Sequence, residues 1–298
     1  MTQNGNERKM FKNMMQNPYL RLIRFDKPIG TLLLLWPTLW GLWVAYSGIP
    51  PLKVLVAFIL GVFLTRAAGC AVNDAADAEF DRHVKRTIAR PVASGELSRM
   101  QAIVTAIILS LLAFLIAAIS LQGKTLLWSI PALLIFISYP FFKRFFPIPQ
   151  LYLSLAFSFG IPMAFIESRN GLTLATMLIF IANCFWVLAY DTIYALVDLD
   201  DDLKIGIKTS AITFGRHVIL IIMLCYFGFY FCLLLLAAKL SYGIFYSLVT
   251  LSVLAMIVYI YREIKGRDRQ RCFKAFLFNN YIGMTIFIGI FLEYLSFK

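Results

Sequence analysis

The chain has 298 residues, 60% of them apolar and 15% charged, against about 25% charged in an average soluble domain. That composition excludes a water-soluble globule. Its 28 Lys+Arg against 16 Asp+Glu give a net charge of +12, yet the charges cluster between apolar runs of roughly 20 residues, the length that crosses a hydrocarbon core, so nucleic-acid binding is excluded as the meaning of the basic balance.

A basic polar arm, residues 1–28, comes first. Nine apolar runs follow at about 29–47, 52–73, 101–121, 125–142, 148–166, 172–197, 217–238, 243–261 and 275–296. Backbone polar groups in a bilayer must be paired internally, and runs of this length achieve that only as helices. The predicted fold is therefore all-α, a polytopic bundle of nine transmembrane helices, with residues 29–298 as one membrane-embedded domain. The roughly ten-residue alternating segments of a β-barrel are absent from the sequence. The polar start precedes a full-length span, without the short apolar core and small-residue site of a cleavable signal. Cys70, Cys184, Cys225, Cys232 and Cys272 show no C-x-x-C spacing and read as packing residues rather than disulfides or a thiolate metal site.

Of the 28 cations, 22 fall in the N-terminal arm and the even-numbered loops, five lie on the opposite side, and Arg66 lies inside the second span. The positive-inside rule then predicts a cytoplasmic N-terminus and, with nine spans, a C-terminus outside. Every acid but Glu167 and Glu293 falls on the cytoplasmic side as well.

Nine acids gather at the ends of the second and sixth spans. At 100° per residue, Asn73, Asp77 and Asp81 lie at about 0°, 40° and 80° and Asp74 at about 100°, giving one face with an amide and three carboxylates. In the second cluster Asp191, Asp198 and Asp202 fall within about 40° of one another. Carboxylates at i, i+4 repel, so such faces need a cation. Hard oxygens on two helices suit Mg²⁺, which takes one or two carboxylates and completes its shell with water and phosphate oxygens; the expected ligand is a diphosphate. Asp77 to Asp198 and Asp81 to Asp202 are both 121 residues apart, and a basic, Thr-containing segment follows each cluster, Lys85-Arg86-Thr87 and Lys208-Thr209-Ser210. This degenerate repeat predicts that the two acidic faces look at each other. Glu79, Asp200 and Asp201 point elsewhere and read as solvated helix-end acids.

Arg66 lies seven residues before Asn73 on the same face, where an apolar span makes a charge costly. It lines a polar cavity or pairs with an acid such as Asp191. Lys143 and Arg144, with Arg86 and Arg90, either neutralise phosphate or mark topology.

Two sets of segments carry a family resemblance. Asn73-Asp74-x-x-Asp77-x-x-x-Asp81, the following Arg86-Thr87-x-x-Arg90-Pro91, and Tyr190-Asp191-Thr192-x-Tyr194-Ala195-x-x-Asp198-x-x-Asp201-Asp202 resemble the UbiA superfamily of membrane prenyltransferases. Arg24-Phe25-Asp26-Lys27-Pro28-Ile29-Gly30, Tyr139-Pro140-Phe141-x-Lys143-Arg144 and Lys204-Ile205-Gly206-Ile207-Lys208 resemble its 4-hydroxybenzoate polyprenyltransferase branch. The resemblance covers about residues 20–216 and departs from the expected Ser-Thr order at Thr209-Ser210, which keeps both hydroxyls. It implies Mg²⁺, a polyprenyl diphosphate donor from within membrane lipid, and prenylation of 4-hydroxybenzoate ortho to its hydroxyl, a step of ubiquinone biosynthesis. It also implies a bacterial inner membrane with the site facing the cytoplasm.

The expected metal ligands are Asp77, Asp81, Asp198 and Asp202 with Asn73 beside them. Asp191 is expected to help hold or activate the acceptor, unless it partners Arg66. Arg66, Asp74, Arg86, Lys143, Arg144, Tyr194 and Lys208 are the substrate-binding candidates, Arg144 pairing with the acceptor carboxylate. Alternatives are the same fold with dihydroxynaphthoate, homogentisate or haem as acceptor, and a transporter, whose coupling residues belong near the midplane rather than at helix ends. A CDP-alcohol phosphotransferase needs a continuous Asp-Gly to Gly-x-x-x-Asp-x-x-x-Asp segment that this sequence lacks.

Overall fold

The computed structural model describes residues 16–142 and 144–296. Residues 1–15 of the arm and Lys143 lie outside the described residues. Within them the chain is helical and without strands: α1 Pro18–Leu22, α2 Ile29–Ala45, α3 Leu52–Ala76, α4 Ala78–Asp81, α5 Arg99–Ser120, α6 Gly123–Phe142, α7 Pro149–Ser158, α8 Gly160–Glu167, α9 Leu174–Ile205, α10 Ser210–Phe214, α11 Val218–Leu240, α12 Ile244–Ile264 and α13 Arg269–Ser296.

Eight segments are long and apolar enough to cross a membrane: α3, α5, α6, α7 with α8, α9, α10 with α11, α12 and α13. α2, with 17 residues, is about 26 Å long and falls just short, so it is a shorter apolar helix where the sequence predicted a ninth span. Outward faces carry large apolar side chains, with Leu111 62%, Ile119 66%, Leu127 64% and Leu134 64% exposed. Lipid is the medium that such surfaces suit, and the chain is an integral membrane protein.

The run predicted at 148–166 is broken in two around Phe159. Pro162 explains the break: it has no N–H to donate to the carbonyl of Ser158, four residues earlier, and its ring crowds that carbonyl. α8 meets α2 closely, where a Cβ on Gly41 would sit 3.1 Å from the Ile161 Cα and one on Gly160 would sit 2.7 Å from the Thr38 hydroxyl.

α9 is the hub, packed against α7, α8, α2, α11 and α13. Its 32 residues run about 48 Å, longer than a hydrocarbon core of roughly 30 Å, so its C-terminal turns project beyond the apolar slab. A Thr173/Thr176 capping box starts it, and Gly206 ends it at φ 77°, a left-handed cap that glycine adopts without Cβ strain. Trp40, Trp186 and Phe229 stack at its centre with centroids 5.2 and 5.8 Å apart. Buried Asn279 on α13 locks that stack, its Oδ1 accepting from Trp186 Nε1 at 2.9 Å and Tyr226 OH at 2.8 Å.

At the far end of the bundle the two remaining acids are absorbed by backbone. Glu167 accepts from Gln122 N at 2.9 Å and Thr125 Oγ1 at 2.6 Å, and Glu293 accepts from Gly243 N at 3.0 Å and Tyr246 N at 2.8 Å. Each carboxylate thereby satisfies N–H groups at a helix start, where negative charge is favoured.

Candidate active site

α3 brings Asn73 and Asp74 to its last turn. Its hydrogen bonding continues past its end, Asp77 N to Asn73 O and Asp81 N to Asp77 O, both 2.9 Å, although Asp77 opens to φ −95°, ψ 5°. The straight acidic face predicted through residue 81 is thus a bent one, α3 followed by the single turn of α4. Asp77 and Asp81 are both buried.

Asp74 is 1% exposed, and its carboxylate takes Arg24 at 2.5 and 3.2 Å and Arg90 at 3.4 Å. It anchors the end of the N-terminal arm to the loop after α4. Arg90 also reaches Asp81 at 2.7 Å, and the Thr87 hydroxyl donates to the Asp81 carbonyl at 3.0 Å. The Arg86-to-Pro91 loop is therefore folded back over the acids that precede it. Arg21 holds its far edge through Glu96 at 2.8 Å.

The second cluster projects from the last turns of α9. Asp198 is gripped by Arg86, Nε at 2.8 and 3.1 Å and Nη2 at 2.5 Å, a two-nitrogen fork suited to a carboxylate. The same guanidinium lies 4.5 Å from the Tyr194 ring centroid, a cation–π contact. Burial works against the charge of Arg86, but Tyr194, Asp198 and Asp81 outweigh it and hold its pKa above the ordinary arginine value. Arg86 on Asp198 and Arg90 on Asp81 and Asp74 thus tie the one loop to both acidic clusters.

Deeper in the bundle, Tyr190 is 2% exposed, and its hydroxyl and Arg66 Nε are buried without a hydrogen-bond partner among the described residues. Tyr190 lies within electrostatic reach of Asp191, Arg66 and Tyr139. Arg66 packs beside the Phe157 ring, 5.8 Å away, and against Gly30, where a Cβ would come 2.8 Å from Nη2. Orphaned buried donors of this kind are costly, so this spot suits a polar ligand. Asp191 is seven residues, about 10 Å along α9, from Asp198.

Other expected residues are more dispersed. Arg144 lies beside the first cluster, 3.5 Å from the Ala76 carbonyl and 6.0 Å from the Phe80 ring. Lys208 donates to the Phe145 carbonyl at 3.0 Å, tying two loops together, and Tyr194 stacks on Phe276 at 4.3 Å while carrying Arg86. Exposed Glu79 pairs with Arg99 at 2.8 Å, and Asp200 is exposed. Asp201 departs from expectation: it is 6% exposed and pairs with Arg269 at 3.3 Å, because α13 docks beside α9 and covers it. Thr192 and Ser210 hydroxyls meet at 2.7 Å, and Ser210 N donates to Gln150 at 2.8 Å.

Sequence reading missed Lys27, Tyr190 and Arg269 as site residues. Lys27 sits in the Arg24-to-Gly30 segment, and its pKa is lowered by burial and by nearby Arg24, Arg86 and Arg90, with Asp26 opposing them. Tyr190 opens the second motif. Arg269 carried no signal beyond being one of six cations in the last loop.

The donor set fits a divalent cation of the hard kind. Asp77, Asp81, Asp198 and Asp202 are all buried carboxylates at one end of the bundle. Among the described residues no three His, Cys, Asp or Glu side chains come together closely enough to hold a metal ion between them.

The UbiA prenyltransferase family matches residues 34–282. The chain is 54% identical over 275 residues to a protein of Nitrosomonas eutropha named 4-hydroxybenzoate octaprenyltransferase, covering 92% of this chain and 96% of that one. A Nitrosospira multiformis protein of the same name is 52% identical over 277 residues, covering 93% and 95%. In fold it is similar to the apo structure of a UbiA homologue from Aeropyrum pernix, with a TM-score of 0.78, 22% identity and coverage of 89% and 98%. A UbiA homologue from Archaeoglobus fulgidus bound to DMAPP and Mg²⁺ gives a TM-score of 0.73 at 20% identity, covering 95% and 100%. With the family matching most of its length and these relatives more than half identical over nine-tenths of it, the chain belongs to the UbiA prenyltransferase family.

Proposed function

We propose that the chain transfers a polyprenyl group from a polyprenyl diphosphate to the carbon of 4-hydroxybenzoate ortho to its hydroxyl, releasing diphosphate, in the ubiquinone route. The observation that carries this reading is one loop tied to both Asp clusters, Arg86 gripping Asp198 and Arg90 reaching Asp81 and Asp74, with the buried Tyr190 OH and Arg66 Nε, unpartnered among the described residues, deeper in the bundle. The curated relatives' name supports the acceptor and a long donor.

In this reading Asp77, Asp81, Asp198 and Asp202, with the Asn73 amide, hold Mg²⁺ at the mouth of the site. Bound there, the ion would neutralise charge growing on the departing diphosphate. Arg86, Arg90, Lys27 and Arg144 surround the same position and take phosphate oxygens as the donor's C1–O bond breaks, its electron pair leaving with diphosphate. Arg66 and Tyr190 orient the acceptor below, and Asp191 holds its hydroxyl so that the ortho carbon faces C1. A C–C bond forms there, and the ring proton passes to an oxygen of the departing diphosphate as aromaticity is restored. The Trp186 and Phe276 rings that flank Tyr190, with centroids 5.2 and 6.1 Å away, keep water from trapping the allylic cation. Residues 29–298 act as one membrane domain in a bacterial inner membrane, the site open to the cytoplasm and the prenyl tail lying toward lipid.

The test incubates purified protein with polyprenyl diphosphates and a panel of aromatic acids. Ring-prenylated 4-hydroxybenzoate should form with Mg²⁺ and stop with EDTA. Asp81→Ala and Asp198→Ala should each cut turnover by about 10²–10³-fold or more. Turnover of dihydroxynaphthoate or homogentisate in place of 4-hydroxybenzoate reassigns the acceptor.

A further inference from the structure

Asp198 carries more positive charge than it needs. Arg86 already engages it with two nitrogens between 2.5 and 3.1 Å. Arg269, the first residue of α13, reaches the same carboxylate at 3.4 Å and Asp201 at 3.3 Å, both through Nη2. A guanidinium has five N–H donors, and among the described residues the acidic partners of Arg269 are reached through this one nitrogen. The side chain is also 40% exposed, against 26% for Arg86 and 18% for Arg90.

The root of that side chain is firmly set. Asp268 caps α13, its Oδ1 accepting from Arg271 N at 2.9 Å and its carbonyl from Cys272 N at 2.8 Å, and Arg267 donates to the Arg216 carbonyl at 2.8 Å. Arg269 therefore combines a fixed backbone with a loosely held tip. Long, half-exposed contacts of this kind add little stability. They do leave a cationic fork within reach of the acids that face the donor.

We propose that Arg269 is a ligand of the donor's diphosphate, delivered by the last helix and parked on Asp198 and Asp201 until substrate arrives; this rests on the transfer reading above. When Asp198 turns to a divalent cation it can no longer serve two arginines. Asp201, outside the metal set, keeps hold of Nη2, and the remaining donors of the fork turn to phosphate oxygens, whose geometry they match. The released charge needs an anion, and the diphosphate supplies it.

Arg269→Gln and Arg269→Lys in the full-length protein test this by four readouts: donor KM, acceptor KM, binding of inorganic pyrophosphate with Mg²⁺, and binding of Mn²⁺ alone. Arg269→Gln should weaken pyrophosphate binding and raise donor KM by roughly tenfold to a hundredfold, the loss expected for a charge-assisted hydrogen bond. Acceptor KM and Mn²⁺ binding should hold, and Arg269→Lys should recover part of the loss. Unchanged pyrophosphate binding overturns the inference, as does a fall in Mn²⁺ affinity matching the fall in pyrophosphate affinity, which would make Arg269 a brace for Asp198. If the wild-type protein binds no pyrophosphate with Mg²⁺, the transfer reading itself fails.

Discussion

Lys27 is the site cation that can lose its charge most readily. Burial and three neighbouring arginines lower its pKa, so it deprotonates at a lower pH than an ordinary lysine. If it holds phosphate, donor KM should rise on the alkaline side as that charge is lost, and Lys27→Arg should move the rise to higher pH because a guanidinium stays protonated. An alkaline limb unmoved in Lys27→Arg would place the titrating group elsewhere. A second comparison separates the two ends of the site. Asp191→Asn should raise acceptor KM while donor KM holds, since Asp191 lies by the buried Tyr190 pocket. Arg144→Ala should instead act on donor KM, because its guanidinium lies beside Ala76 and Phe80 of the first cluster. The carboxylates were legible in sequence because i, i+4 spacing encodes a shared face. Their counterions were less so. Asp74 and Arg24, or Asp201 and Arg269, meet only once distant helices pack, and single-helix geometry carries no trace of that.

Among the elements, long apolar runs announce themselves, but breaks within them are less plain. Pro162 sits in a run that reads as one span, and the missing N–H of its ring interrupts the helix at Phe159 while the two pieces together still form one span. The hub helix α9 gains its rigidity from α13, a helix in which sequence reading found no motif. Asn279 is the means: Trp186 and Tyr226 both donate to its side-chain oxygen inside the core. Asn279→Leu removes that acceptor and strands two buried donors, at about 1–3 kcal/mol each. Thermal unfolding in detergent should show a clear drop in Tm, with donor KM of the surviving folded fraction little changed. A variant as stable as wild type would mean that the Trp40–Trp186–Phe229 stack holds α9 by itself.

For the molecule as a whole, charge is sorted by end. The arm, the loop after α4 and the start of α13 bring Arg24, Arg86, Arg90 and Arg269 onto the Asp clusters. Glu167 and Glu293 are sequestered by helix-start N–H groups at the other end. Such sorting follows from the positive-inside rule only if the clustered end is cytoplasmic, and the proposed reaction would then release its water-soluble diphosphate on that side. Orientation can be read with cysteine labelling, because Cys70, Cys225, Cys232 and Cys272 are buried and Cys184 half-buried, leaving a low background. Ser94, exposed in the loop over the acids, and Lys124, exposed at the start of α6, mark the two ends. In sealed right-side-out vesicles, a membrane-impermeant maleimide should label Lys124→Cys at once and Ser94→Cys only after the membrane is opened. The reverse pattern would put the diphosphate site outside, remove the basis for a cytoplasmic donor, and require that the 22 cations on the clustered side serve the substrate rather than the membrane orientation.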